Sequence, residues 1–260
     1  MRTAMIAAMV MLVCSSASVY AGDCSNVTQT PSGSYTLSED WTTNSDVRPC
    51  FRMEAGRNLN LNGYQIKCTK ASGACSIAVQ CADNGSLVKS SKNSDGGHID
   101  IDGPFDVALQ NCTTVQNMVI NNANTAVSSL SNADKISGNV ITKCNTRCID
   151  AQMTDDTDRV ENNFISPGTG RGIQIKGKTS GTLGPLVWKN VIMNYSTAGI
   201  EGNSTVYRID KNLIAGAGAS TDAIAVSGSP TSEVCEDDAE CDCDLNAIDA
   251  PVVCLGTVLP

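Results

Sequence analysis

Trp188 has an acidic residue at the equivalent place of a repeated phrase on either side of it, Glu161 before and Asp210 after. Each of the three follows the opening residue of its copy, and Arg159 and Arg208 stand just ahead of that opening residue in two of them. An indole face stacks on a pyranose, while carboxylates and guanidinium groups bond hydroxyls or a uronate carboxylate. Arg159, Glu161, Trp188, Arg208 and Asp210 are therefore the candidate ligand-binding strip, with Lys189 and Lys211 just beyond it. The same residue types also suit plain surface ion pairs, worth under about 1 kcal/mol each.

Catalysis makes stricter demands. Glu161 and Asp210, two repeats apart on stacked strands, would lie roughly 9 to 10 Å apart, near the separation of an inverting glycosidase pair. Trp188 then occupies the space where substrate would lie. A lyase or epimerase needs a base near the uronate C5 and a cation on its carboxylate. Asp155, Asp156 and Asp158, in the acidic turn before Arg159, offer hard oxygens for calcium; a solvated turn is the plainer reading of them. The chain has one histidine, His98, beside a Gly-rich loop, which gives little support to Ser-His-Asp chemistry or a His-based zinc site. No catalytic residue is assigned.

The phrase that positions these side chains recurs five times. It reads Val115-Gln-Asn-Met118-Val-Ile120, Ile136-Ser-Gly-Asn139-Val-Ile141, Val160-Glu-Asn-Asn163-Phe-Ile165, Val187-Trp-Lys-Asn190-Val-Ile192 and Ile209-Asp-Lys-Asn212-Leu-Ile214. Aligned on the fourth position, the copies are 21, 24, 27 and 22 residues apart. A small residue followed by a β-branched one comes after each: Ala126-Val127, Cys148-Ile149, Gly172-Ile173, Gly199-Ile200 and Ala223-Ile224. Such a period signals a solenoid, whose units bury their apolar sides against their neighbours. β-Branched residues at positions one and six suit short strands. The Asn between them tolerates a left-handed bend, and stacked Asn amides would form a ladder at about 4.8 Å spacing. The expected fold is all-β, a parallel β-helix over residues 58–228. Positions one and six point inward and the residues beside position one point out.

The copies ending Asn-Val-Ile, Asn-Phe-Ile and Asn-Leu-Ile, with Gly-Ile in the next strand, resemble the repeats of right-handed parallel β-helix proteins of the pectate-lyase-like and NosD-like families. Leu59-Asn-Leu-Asn-Gly63-Tyr-Gln-Ile66 is similar to the first coil of the NosD-like group. The resemblance implies a right-handed β-helix and leaves function open, since these families hold lyases, hydrolases, epimerases and proteins without known activity. The polygalacturonase-like motifs are out of order here. Gly96-Gly97-His98 precedes Asp155-Asp156, and Arg208-Ile209 is followed by Asp210 where those enzymes carry Lys. A NosD-like metal-delivery role would call for His or Met on the outer face, where only Met118, Met153 and Met193 are scattered.

Residues 1–21 read as a secretory signal peptide, with Arg2, an apolar run and Val19-Tyr20-Ala21 at its end. Twelve cysteines remain after it, an even number that favours disulfides in an exported chain. Residues 22–57 are expected to form an N-terminal cap and 229–260 an acidic, cysteine-rich C-terminal cap. From residue 212 to 260 there are nine acids and no bases, while 22–211 holds 18 acids and 17 bases. A net charge of −9 with no basic stripe argues against nucleic acid. The reading is thus of a secreted or periplasmic monomer, without a membrane span, that binds or modifies a polysaccharide or cell-surface glycan. A non-catalytic adhesive or structural rod is the alternative.

Overall fold

The structure, a computed structural model, describes residues 22–24, 28–29, 33–82, 86–91, 97–99, 104–130, 132–177, 184–203, 208–215, 222–227, 247–248, 252–254 and 257–258. The expected signal peptide and most of the acidic tail lie outside these residues, as does the His98 side chain. No helix occurs among them, and the strands stack into a parallel β-solenoid of about seven turns.

Three walls wind in succession; strands are numbered in chain order. The first is an eight-stranded sheet of β3 (Ser34–Thr36), β6 (Asn58–Asn60), β9 (Leu87–Lys89), β12 (Thr114–Gln116), β14 (Lys135–Ser137), β16 (Arg159–Glu161), β19 (Leu186–Trp188) and β22 (Arg208–Asp210). The second stacks β1 (Gly22–Asp23), β4 (Trp41–Thr43), β7 (Gln65–Cys68), β10 (Gly97–Ile99), β17 (Phe164–Ser166), β20 (Val191–Met193), β23 (Leu213–Ala215) and β25 (Ala247–Ile248). The third stacks β2 (Thr28–Gln29), β5 (Pro49–Met53), β8 (Cys75–Cys81), β11 (Phe105–Gln110), β18 (Arg171–Lys176), β21 (Ala198–Asn203), β24 (Asp222–Ser227) and β26 (Val252–Cys254). Two long strands, β13 (Met118–Ser129) and β15 (Val140–Gln152), turn a corner and serve the second and third walls together. Residues 22–57 contribute β1–β5, which pair in parallel with the coil that follows. In the tail, β25 and β26 continue the stack, and β27 (Thr257–Val258) folds back antiparallel on β26.

One apolar row per wall meets on the axis. Val115, Ile136, Val160, Val187 and Ile209 line the first wall, Ile120 through Ile214 at position six the second, and Val127, Ile149, Ile173, Ile200 and Ile224 the third, all essentially inaccessible. Each such side chain contributes about 1.5–3 kcal/mol by leaving water. Phe51 and Phe105, the largest fully buried side chains among the described residues, fill the early coils.

The corner between the first and second walls separates two jobs that the sequence reading had combined in one Asn. The left-handed residue is position three: Asn117, Gly138, Asn162, Lys189 and Lys211, with φ from 52° to 66°. Position four is turned inward and forms the ladder. Asn163 Oδ1 accepts from the Asn139 backbone NH at 3.0 Å and its Nδ2 at 2.8 Å, while Asn163 Nδ2 donates to Ile136 O and Asn190 Oδ1. Asn190 and Asn212 repeat the pattern. At the other end Asn139 Oδ1 accepts the backbone NH of Met118, whose side chain brings no amide, so the ladder stops there.

Four disulfides are described: Cys24–Cys50, Cys68–Cys75, Cys81–Cys112 and Cys144–Cys148. The first and third tie neighbouring coils. Cys144 and Cys148 pair with each other rather than across stacked neighbours. Between Ala123 and Thr125 the partner strand advances from Cys144 to Arg147, one extra residue, and this disulfide spans the resulting bulge.

Candidate functional site

The first wall brings the expected strip together. Its outward rows are Lys135, Arg159, Leu186, Arg208 and Ser137, Glu161, Trp188, Asp210, each in register on four adjacent strands. Short β-branched strands hold the backbones, and the left-handed corners at Lys189 and Lys211 set the exits. Glu161, Trp188 and Asp210 therefore lie on one face, a strand spacing apart.

Exposure within the row divides by charge. Outward by register, Glu161 and Asp210 are nevertheless sunk, with side chains 10% and 5% exposed. Their partners are not: Lys135 Nζ lies 2.8 Å from Glu161 and is 42% exposed, and Lys211 Nζ lies 3.5 Å from Asp210 and is 48% exposed. The Lys189 ammonium sits 3.9 Å from the centroid of the half-exposed Trp188 ring, a contact worth about 0.5–1 kcal/mol at such a surface. One ammonium thus sits on the indole, and each neighbouring acid has a lysine as its partner. Arg159 is half-exposed in the same wall. Arg208 donates to the carbonyls of Gly184 and Asp156, which pins it to neighbouring loops.

The acidic turn separates its three carboxylates. Asp155 and Asp156 are exposed, whereas Asp158 is buried and its Oδ2 accepts from the backbone NH groups of Thr154 and Asp155 at 2.7 and 2.8 Å. Burial first, then the neighbouring Asp155 and Asp134 charges, pushes the Asp158 carboxyl above the usual carboxylate range, against the lowering effect of the two amides. Asp134 is raised for the same reasons, burial and Asp155. Asp158 thus caps its own turn. Among the described residues no group of three His, Cys, Asp or Glu is arranged to hold a metal ion.

A second polar row escaped the sequence reading. On the third wall the residue after each inward β-branched one points out: Ser128, Asp150, Gln174 and Glu201, preceded by Gln80 and Gln110. Gln80 donates to Gln110 at 2.8 Å, Gln174 donates to Glu201 at 3.1 Å, Arg147 pairs with Asp150 at 2.6 Å and Arg171 pairs with Glu201. An open hollow of about 380 Å³ lies at its early end, lined by Arg52, Glu54, Gln80 and Asn111 among others. The signal was available, one position beyond the small and β-branched pair. Here Gln80 with Gln110 and Gln174 with Glu201 satisfy one another, while Asp150 Oδ1 and Arg147 Nε are buried without a hydrogen-bond partner among the described residues.

Fold and repeats define a class, the disulfide-bearing parallel β-solenoids. No family model matches the chain, and neither a curated protein nor a solved structure shows significant similarity to it.

Proposed function

We propose that this protein is exported and binds an anionic, uronate-type polysaccharide along its first wall. Trp188 is the stacking platform, and Lys135, Arg159, Lys189 and Lys211 are the cations around it. The observation that carries the reading is the inversion of exposure, with carboxylates sunk and ammonium groups standing out, in a chain whose net charge is −9. Four disulfides fit an oxidising compartment, and no helix among the described residues is long and apolar enough to cross a membrane. Binding is favoured over bond cleavage because Glu161 and Asp210 are each occupied by a lysine.

Retention on immobilised polygalacturonate, alginate and neutral dextran, with and without calcium, tests the proposal. We expect retention on the two uronates alone, weakening with salt. Trp188→Ala should lower affinity at least about tenfold, equivalent to about 1.4 kcal/mol. Equal binding by Trp188→Ala, or equal binding to dextran, would overturn the site. New unsaturated ends would mark a lyase, and failure on every polymer would favour a structural rod.

A further inference from the structure

The second wall differs from the other two in what it shows to solvent. Five of its outward residues share one register over consecutive coils: Val119, Val140, Phe164, Val191 and Leu213. The neighbouring outward row is Asn121, Thr142, Ser166, Met193 and Ala215. None of these ten positions carries a charge, whereas the outward rows of the first and third walls include Lys135, Arg159, Glu161, Arg208 and Asp210 on one and Asp150 and Glu201 on the other. Among the described residues, four of the six large exposed hydrophobic side chains lie here: Val140, Phe164, Met193 and Leu213, each at least 36% exposed. At the corner with the first wall the lysines stay off this face, since Lys189 lies over Trp188 and Lys211 reaches Asp210, while Lys143 stands exposed at the corner with the third wall.

We propose that this wall is a self-association surface on which two copies meet face to face about a two-fold axis through Phe164. The order of the row commits the occupant. Over these five coils it reads, from either end, aliphatic, aliphatic, aromatic, aliphatic, aliphatic, with His98 next in register at one end and Ala247 at the other. An axis lying in the interface parallel to the strands therefore sets Val119 on the partner's Leu213, Val140 on the partner's Val191 and Phe164 on its own counterpart. A self-complementary patch is what an isologous dimer requires. Chains of net charge −9 repel one another, and an uncharged wall is where two can approach at least electrostatic cost.

Five strands at about 4.8 Å and two outward rows span about 24 by 12 Å, or roughly 600 Å² over both copies, half or less of a standard stable interface. The dimer is accordingly reversible and concentration-dependent, in place of the monomer expected from the sequence. It rests on a different wall from the glycan reading and stands or falls separately.

Sedimentation equilibrium of the mature chain from about 10 μM to about 1 mM is the test, because such a small interface belongs in the weak range of affinity. The mean mass should climb toward twice the monomer value, more steeply at high salt. Phe164→Asp and Phe164→Lys should each remain monomeric, and mixing the two should restore the dimer. The double variant V140D/V191K should associate by itself, since each Asp then meets the partner's Lys; a like-on-like arrangement would abolish association. These side chains all point outward, so melting should match the parent, and the double variant decides the matter if either Phe164 variant fails to fold. A parent that stays monomeric throughout overturns the proposal. So does retention on neutral phosphatidylcholine vesicles that Phe164→Asp abolishes without any change in mass, which would assign the wall to a lipid surface.

Discussion

At the residue scale, the buried amides carry more than any surface group. Asn139, Asn163, Asn190 and Asn212 are at most 1% exposed, and each places its oxygen on the backbone NH of the preceding Asn or Met. Asn163→Ala strands two donors of Asn139 without water, so we expect a loss of about 2–5 kcal/mol in urea unfolding. Asn162→Gly, next to it at the exposed left-handed corner, should be nearly neutral, because glycine adopts that conformation without penalty. Part of this was legible beforehand: an Asn recurring between two β-branched residues announces a ladder. The pairing of acids with lysines was not. Register shows that Glu161 and Asp210 face out, but only the folded chain shows that they are nearly inaccessible and paired with Lys135 and Lys211.

At the element scale, the walls follow from period-two burial and the corners from single residues that accept positive φ. The five phrases and their following pairs revealed the first wall and the inward rows of the other two. The exchange of roles between positions three and four was hidden, because Asn suits both. The corner of the third wall shows how closely the coils pack. A Cβ on Gly172 would stand 2.4 Å from the Gly199 carbonyl oxygen and 2.7 Å from Ile192 Cγ2. Ala126 and Cys148 hold this register in earlier coils, so the approach of backbone to backbone tightens along the stack. We expect Gly172→Ala to cost about 1–3 kcal/mol as the coil is forced apart, read as a lower thermal midpoint while the strand content seen by circular dichroism is retained.

At the scale of the whole molecule, cross-links and amides divide the rod between them. Three of the described disulfides lie between residues 24 and 112, and the ladder runs from 139 to 212. The Cys81–Cys112 bridge closes 31 residues and the Cys144–Cys148 bridge only 4. Chain-entropy arguments give them about 3.7 and about 2 kcal/mol. Hydrogen exchange under reducing conditions should therefore lose protection first in coils before residue 112, while strands from Lys135 to Asp210 keep theirs; uniform loss would contradict the division. An even cysteine count told of cross-links in general but not of this placement, since pairing depends on which corners meet.

Met118 stands where the two regimes meet, and its thioether ends the run of amides. A rod fastened in this way has a seam. Toward one end its integrity depends mostly on the redox state of the surroundings; toward the other, where the Cys144–Cys148 bridge closes only 4 residues, it yields mostly to whatever competes for hydrogen bonds. Shed into a reducing medium, the molecule would not dissolve into a featureless chain but would shorten from one side, keeping Trp188 and the face around Phe164 on the surviving part.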